Sequence, residues 1–594
     1  MSSSRRILVC AAWPYANNEP HLGHYAGNLL PADVFARSQR LRGHEVLMVS
    51  GSDAHGTPIM VKADAEGTTP GKVVARYHEK FIESFEKMGI AFDLYTATTT
   101  AEHFATAREL FLGHKANGYL YTEVQEQLFD PKVQRFLPDR YVEGTCPFCG
   151  FAEARGDQCD NCNKTYEPTA LKSPRSKISG ATNLEVRKTE HFFFDLGKAN
   201  DALLAWITDG KKGHWRKSVL NFTRALLEKK ELRGRPITRD LEWGVDLPVP
   251  GFETKRLYVW YDAVMGYLSA TREWAKLSGA KDAWRKFWDE KEIAANADRG
   301  IETRSYYFMG KDNIEFHTVM WPAELLAFGG LALPYDVPAA EFLNNAGRKF
   351  SKSRGNAVFM LDVLQRYQVD AWRYVLTALA PETGDSDFTW DDFVERVNGE
   401  LVANWGNLAN RVLGFASRRF AGCVPEPGPL GARETALLEE IRNGFKTVGD
   451  LYEGVKLRSA LEETRALCQK VNQYLSDVAP WTLIKTDEKG AATAVWVALQ
   501  CIDWLAVMWS PILVESSEHI RTMLGRPGRI AGSVRRENVA DERGEHLVLR
   551  YDGSSAAKGL WAAEPLHPGT RLGEITAPFR KLDDGVAQLE GGAT

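Results

Sequence analysis

Three observations predict an α/β chain built on a doubly wound parallel sheet, interrupted by an inserted module and followed by a helix bundle. From Ile7 to about Lys115, β-rich runs alternate with amphipathic helices. Cys146, Cys149, Cys159 and Cys162 cluster in a proline-bearing stretch that breaks this alternation. From Asp391 to about Gly525, apolar residues recur at helical spacing, as in Leu401, Val402, Trp405, Leu408, Ala409 and Val412.

The chain has 594 residues, enough for several domains of ~150 residues each. Hydrophobic content of 44% and charged content of 26% fit a protein with ample core. Net charge is −4, so contact with nucleic acid must use local basic faces, not a basic field over the whole molecule. Scattered Cys10, Cys423, Cys468 and Cys501 read as buried thiols of a reducing compartment. Arg5-Arg6 before an apolar run imitates a leader, but the run ends in Pro14-Tyr15 without a cleavage site and reads as a buried first strand. By its sequence no apolar stretch is expected to reach the roughly 18 residues of a membrane span, and a cytoplasmic protein is expected.

Residues 1–115 form the first half of the sheet domain. Ile7-Leu8-Val9-Cys10-Ala11-Ala12 is a strand, and Val46-Leu47-Met48-Val49-Ser50 is a second one ending at Gly51-Ser52-Asp53-Ala54-His55-Gly56. Functional residues at strand ends suit a Rossmann-like sheet, whose ligands sit at the carboxyl edge. Between the two strands, Pro20 is a suitable first residue of a helix that carries His21-Leu22-Gly23-His24 on its first turn. A helix start favours anions, two imidazoles there can donate to phosphate oxygens, and Gly23 leaves room for a flat ring. Residues 116–230 are the insertion. Two C-x-x-C turns separated by nine residues offer four thiolates for a tetrahedral structural zinc ion. A basic series from Lys211 to Arg235 follows.

The sheet pattern returns over residues 231–345 with strands at Arg256-Leu257-Tyr258-Val259-Trp260 and Tyr306-Tyr307-Phe308-Met309-Gly310. Residues 346–390 open with Lys349-Phe350-Ser351-Lys352-Ser353, a polar, glycine-bearing loop whose lysines are mobile charges suited to polyphosphate. Residues 391–525 are the bundle. Residues 526–594 are a Gly-, Arg- and Pro-rich tail with short β-like runs such as His546-Leu547-Val548-Leu549.

His21–His24 and Lys349–Ser353 resemble the HIGH and KMSKS elements of class I aminoacyl-tRNA synthetases. Ala12-Trp13-Pro14-Tyr15-Ala16-Asn17, the Gly51–Gly56 turn, Tyr258–Ala263, Gly310–His317, the cysteine insertion, Asn407–Arg411 and Ala479-Pro480-Trp481 narrow the resemblance to the methionyl-tRNA synthetase family. It covers residue 5 to about 525.

The resemblance implies catalytic roles for His21, His24, Lys349 and Lys352. It implies that Gly23, Gly310, Asp312 and Ser351 help to bind ATP, with Mg²⁺ accompanying it. The methionine site is expected at Ala12, Trp13, Tyr15, Asp53, Trp260, Tyr267, Phe316, His317 and Trp321. In it, the Tyr267 hydroxyl and the main-chain N–H of residue 13 meet the sulfur, and Asp53 holds the ammonium. Asn407, Arg411 and Trp481 are expected to read the anticodon of tRNA(Met), with Arg418 and Arg419 near phosphates. Aromatic walls suit a polarizable thioether, and a carboxylate suits a buried ammonium. Trp13 departs from the Leu of many members, which changes the pocket wall. Phe350 replaces the Met of the nominal motif and should anchor its loop by apolar packing. A synthetase for leucine, isoleucine or valine would carry a larger insertion. A monomer is expected.

Overall fold

The computed structural model describes residues 4–591 except 139–140, 157–158, 160, 163, 165, 351–355, 527, 557–558 and 584. Its α/β half is a twisted sheet with helices on both faces. The leading strands are β1 (Arg6–Ala11), β2 (Glu45–Ser52) and β3 (Leu94–Ala97). Between them run α1 (Leu30–Leu41) and α2 (Pro70–Met88), whose apolar stripes cover one face. After β3, α3 (Ala101–Ala116) covers the other face.

In the insertion, β4 (Leu120–Asp130) pairs antiparallel with β8 (Glu185–Phe194). Between these lie β5 (Val142–Thr145), β6 (Ala154–Arg155) and β7 (Lys172–Ser176), a small antiparallel sheet that carries the cysteine turns.

The chain then returns through α4 (Val259–Asp262) and α5 (Gly266–Leu277) to β9 (Thr303–Gly310), α6 (Trp321–Phe328) and β10 (Ala339–Ala340). Strands β10, β9, β1, β2 and β3 lie side by side in that order, all parallel. The run Arg256–Trp260 does not join them. Only Arg256–Leu257 is extended, and the aromatic residues from Val259 onward turn into α4. Their β-propensity yields to packing at the strand ends, where Tyr261 and Asp262 are buried.

Helix α7 (Val369–Ala378) joins the two halves of the molecule. Its Arg373 is fully buried and pairs with Asp33 of α1 at 2.6 Å. The same guanidinium donates to the carbonyls of Met88, Pro511 and Ile512. Asp33 also accepts from Arg37 and from the Ala91 N–H. Three residues earlier, Asp370 accepts from the N–H groups of Val514 and Ser516, capping a bundle helix from outside.

The bundle comprises α8 (Asn407–Arg419), α9 (Ala432–Glu453), α10 (Leu457–Val478), α11 (Pro480–Leu483), α12 (Glu488–Trp509) and α13 (Val514–Met523). By length and composition α12 is apolar enough to cross a membrane, contrary to the sequence expectation. It is almost wholly buried among its neighbours, as a helix that is hydrophobic all round must be.

The tail returns to the large sheet. Its hairpin of β11 (Ser533–Asp541) and β12 (Gly544–Asp552) lies antiparallel beside β3, with Leu549 opposite Tyr95. Farther on, Trp561 donates its indole N–H to the Phe445 carbonyl of α9. The carbonyl of Glu564 accepts from Gln500 and Trp504 of α12. Glu590 then receives the Tyr367 hydroxyl just before α7.

Replacing Arg373 by Met should leave Asp33 charged and short of partners, at a cost of about 3–5 kcal/mol in urea unfolding. The arginines and hydrogen bonds hold the Asp33 pKa below its ordinary value despite burial. Its contribution is therefore present above about pH 4, the unfolded carboxyl range, and is lost as pH falls through the lower folded value. A loss under 1 kcal/mol at pH 7 would contradict the joining role.

Candidate active site

At the end of β1 the chain turns through Trp13-Pro14-Tyr15, and the turn is bonded to Asp53. Asp53 N–H donates to the Pro14 carbonyl, and Ala16 N–H donates to the Asp53 carbonyl, both at 2.9 Å. His21 then caps a short helical turn, Leu22–His24, which runs on through a widened turn into α1. The cap is His21 itself, so the helical turn starts at Leu22, two residues later than a start at Pro20.

Its Nδ1 accepts from the Gly23 N–H at 3.1 Å, while His24 Nδ1 accepts from the His21 N–H at 3.2 Å. Both ring protons therefore sit on Nε2. Burial and the neighbouring His24 pull the pKa of His21 down to about 2. Protein crowding around the solvent-reachable ring of His24 pulls its pKa to about 4. At pH 7 the pair is two neutral N–H donors.

Phe350 stacks on His21 with ring centres 5.1 Å apart and 17° between planes. It also lies 3.3 Å from where a Gly23 side chain would begin, so Gly23 makes room for this contact. Phe350 is thus the anchor expected of it, and its anchorage is the histidine word. Past the loop, Leu22 N–H donates to the Val358 carbonyl and Met360 N–H to that of Pro20. Lys349 is exposed, with Nζ 4.5 Å over the Phe342 ring. Ser351 and Lys352 lie outside the described residues. Gly310 ends β9, and a side chain there would meet the Asp312 carboxylate at 2.7 Å.

Beside this surface is a small cavity of about 70 Å³, lined by Ala12, Trp13, Tyr15, Asp53, Trp260, Tyr267, Phe316 and His317 among others. The Trp260 indole donates to the Tyr15 hydroxyl at 2.6 Å and packs edge-on against Phe316. His317 donates from Nδ1 to the Asn313 carbonyl, so its Nε2 accepts the Tyr267 hydroxyl proton at 2.7 Å. Burial holds the pKa of His317 at about 4, which keeps it a neutral acceptor. The Tyr267 proton is thereby committed, and donation to a thioether requires this pair to rearrange.

Trp321 is placed differently from expectation. It is fully buried behind the wall, edge-on to Trp288, and touches the Tyr307 hydroxyl, whose ring supports Tyr267. The apolar side of α6 faces the core, which takes Trp321 off the lining.

Burial, with the nearby Asp262 carboxylate, pushes the pKa of Asp53 well up. Behind it stands a buried group missed in the sequence. His55 Nδ1 lies 2.6 Å and His103 Nε2 3.7 Å from Asp262. Burial alone would raise the Asp262 pKa, but the two histidines bring it below its ordinary value. His55 and Asp262 both lie within the motif words, while His103 has no local signal.

In the bundle, Asn407 and Arg411 are exposed on α8, and the Arg411 guanidinium lies 4.5 Å over the Trp481 ring. Trp481 sits in α11, entered through Ala479 in a left-handed conformation, φ 44°. Arg418 and Arg419 are exposed in the last turn of α8.

The four cysteine sulfurs lie within 4.8 Å of one another, with Cys146–Cys162 at 3.9 Å and Cys149–Cys159 at 3.6 Å. Sulfurs bound at 2.3 Å to a tetrahedral ion stand about 3.8 Å apart. The donor set therefore fits a structural zinc ion.

A family described as tRNA synthetases class I (M) matches residues 7–413, and the anticodon binding domain of methionyl tRNA ligase matches residues 424–533. Curated relatives named methionine–tRNA ligase, from Roseiflexus sp. (strain RS-1) and Thermomicrobium roseum, are 50% and 48% identical. In both, 98% of this chain and 98% of the relative are covered. The solved structure of Mycobacterium tuberculosis methionyl-tRNA synthetase in complex with methionyl-adenylate aligns over 97% of this chain and 99% of that one, with TM-score 0.74 and 25% identity.

Metal analysis of the purified protein should find one divalent ion held by the four thiolates. Cys159→Ser should lose it and open the insertion to protease while the parallel sheet stays protected. Equal protease resistance with and without the ion would rule out a structural role.

Proposed function

The chain belongs to the methionine–tRNA ligase family of class I tRNA synthetases, and on that premise we propose how its residues divide the work. It is an aminoacyl-tRNA ligase that joins L-methionine to ATP as methionyl-adenylate and then to the 3′ end of tRNA(Met), for initiation and elongation. The observation that carries this reading is the convergence of the neutral His21–His24 donor pair, the aromatic cavity and Asp53 at one sheet edge.

The methionine carboxylate attacks the α-phosphate of ATP. A carboxylate–phosphorus bond forms, the α–β bond breaks, and pyrophosphate leaves. No side-chain base is required, since the carboxylate is ionised at pH 7. The protein supplies alignment and charge stabilisation. His21 and His24 donate from Nε2 to the phosphates, Lys349 and Lys352 bring positive charge, and Gly23, Gly310, Asp312 and Ser351 shape the nucleotide site. Mg²⁺ accompanies ATP and neutralises its phosphates. A ribose hydroxyl of the tRNA then takes the methionyl group, and AMP leaves.

Asp53 holds the methionine ammonium, whose charge offsets the burial that disfavours the ionised carboxylate. Ala12, Trp13, Tyr15, Trp260, Tyr267, Phe316 and His317 enclose the thioether. Trp481 stacks on an anticodon base, a role favoured by its partly exposed ring beside Arg411, while Asn407 and Arg411 contact neighbouring bases. Zinc on Cys146, Cys149, Cys159 and Cys162 folds the insertion. This reading assigns residues 1–115 and 231–345 to the catalytic domain, 116–230 to the connective insertion, 346–390 to the loop and tRNA-stem segment, and 391–525 to anticodon binding. It takes the enzyme as a cytoplasmic monomer.

Amino-acid-dependent ATP–pyrophosphate exchange with all twenty amino acids tests the assignment; equal rates with leucine and methionine would reject it. Trp481→Ala should lower aminoacylation roughly 10- to 100-fold while exchange stays nearly unchanged, as loss of one stacked base requires. Parallel losses would mark Trp481 as core.

The raised pKa of Asp53 gives a pH signature. The KM for methionine should fall as pH rises above the ordinary carboxyl range, because Asp53 must be ionised to hold the ammonium and its pKa is raised. Asp53→Asn should raise KM and flatten the profile, and an unflattened profile would reassign the titration to another group.

A further inference from the structure

Trp13 lines the cavity, and the structure shows what lets its indole fit. A Cβ added to Gly266, the first residue of α5, would lie 2.7 Å from both Cε2 and Cζ2 of the Trp13 indole and 3.1 Å from Cη2. On Gly51, in β2, it would lie 2.2 Å from Cζ3 and 2.4 Å from Cη2. Real Cβ contacts essentially never fall below 3.0 Å. The benzo ring therefore occupies space that two ordinary side chains would fill, one on the strand and one on the helix.

The rest of the ring packs against the apolar cluster on this face of the sheet. Its Nε1–H is buried without a hydrogen-bond partner among the described residues, and its nearest aromatic neighbours, Tyr267 and His103, stand 6.4 Å away. Gly51 and Gly266 are both buried, so neither the strand nor the helix can retreat into solvent. An indole expelled from this slot has the amino-acid cavity as its open side, and that cavity measures only about 70 Å³. Tyr267, the residue after Gly266, shares both the helix turn and the cavity.

We propose that Gly51 and Gly266 are specificity-determining residues: they form a slot that holds the Trp13 indole back, and slot and indole together set how long a side chain the cavity accepts. This rests on the cavity being the methionine site. Two size changes follow from it. A methyl on either glycine drives the indole into the cavity and weakens methionine binding. A smaller residue at position 13 vacates the slot and lengthens the cavity, admitting a thioether one methylene longer.

Gly266 is the cleaner position to test, because its three nearest atoms all belong to Trp13, whereas a methyl on Gly51 also meets the Thr96 carbonyl oxygen at 2.7 Å. In ATP–pyrophosphate exchange, Gly266→Ala should raise the KM for methionine at least about tenfold and leave the KM for ATP within about twofold. Adding Trp13→Leu should bring the methionine KM back to within about threefold of the parent, since a shorter side chain no longer meets the new methyl. Trp13→Leu alone should raise kcat/KM for ethionine relative to methionine by about tenfold.

Recovery by the second substitution separates a steric clash from misfolding. An unchanged methionine KM in Gly266→Ala, or no recovery in the double variant, overturns the proposal. Absence of methionine-dependent exchange in the parent would instead overturn the methionine assignment, and the compensation would then be read with whichever amino acid drives exchange.

Discussion

The buried pair of Arg373 and Asp33 is the constraint on which the rest of the molecule hangs. A guanidinium and a carboxylate without solvent must satisfy each other and nearly every remaining donor and acceptor. Here that requirement fixes α7 against α1, against the end of α2 and against the turn between α12 and α13. One side chain thus sets the distance between the sheet that holds the reaction and the bundle that carries Trp481. Asp370 adds direction by capping α13 from the same helix. Neither contact touches a substrate, yet both fix the frame in which the two ends of a tRNA must be met.

The active edge follows a complementary logic, in which charge is withheld until a ligand supplies its opposite. His21, His24 and His317 are kept neutral, so each presents a defined donor or acceptor. Asp53 is held in surroundings that disfavour its ionised form. Asp262, flanked by His55 and His103, is kept readily ionised behind the wall.

What the sequence made legible was local. The four-cysteine cluster, Pro480-Trp481 at a helix entry and the first two strands each lie within a few residues, and each forms as read. The histidine word forms its turn two residues past Pro20, and the lysine word lies partly outside the described residues. Contacts across long separations were not legible, such as Phe350 on His21 or His103 beside Asp262. Residue type and resemblance differ from the structure at two places. Arg256–Trp260 reads as a strand because its residues are aromatic and β-branched, yet packing bends it into a helix after two residues. Trp321 follows a motif rich in pocket residues, but helical spacing turns it inward, leaving Tyr267 and His317 as the wall. The role of Gly51 and Gly266 is invisible to pattern, since absent side chains leave no signal until the indole between them is seen.

The hairpin beside β3 bears on the order in which the molecule can be made. Strand β3 ends at Ala97, and its covering strands begin at Ser533. During synthesis at roughly 5–20 residues per second, that edge stays open for roughly 20–90 s while the insertion, second half-sheet and bundle emerge. An open edge in a nascent chain is a template for pairing with the wrong strand. The shortness of β3, four residues, limits that hazard. The sheet is closed late, by a hairpin that follows the whole bundle in the chain.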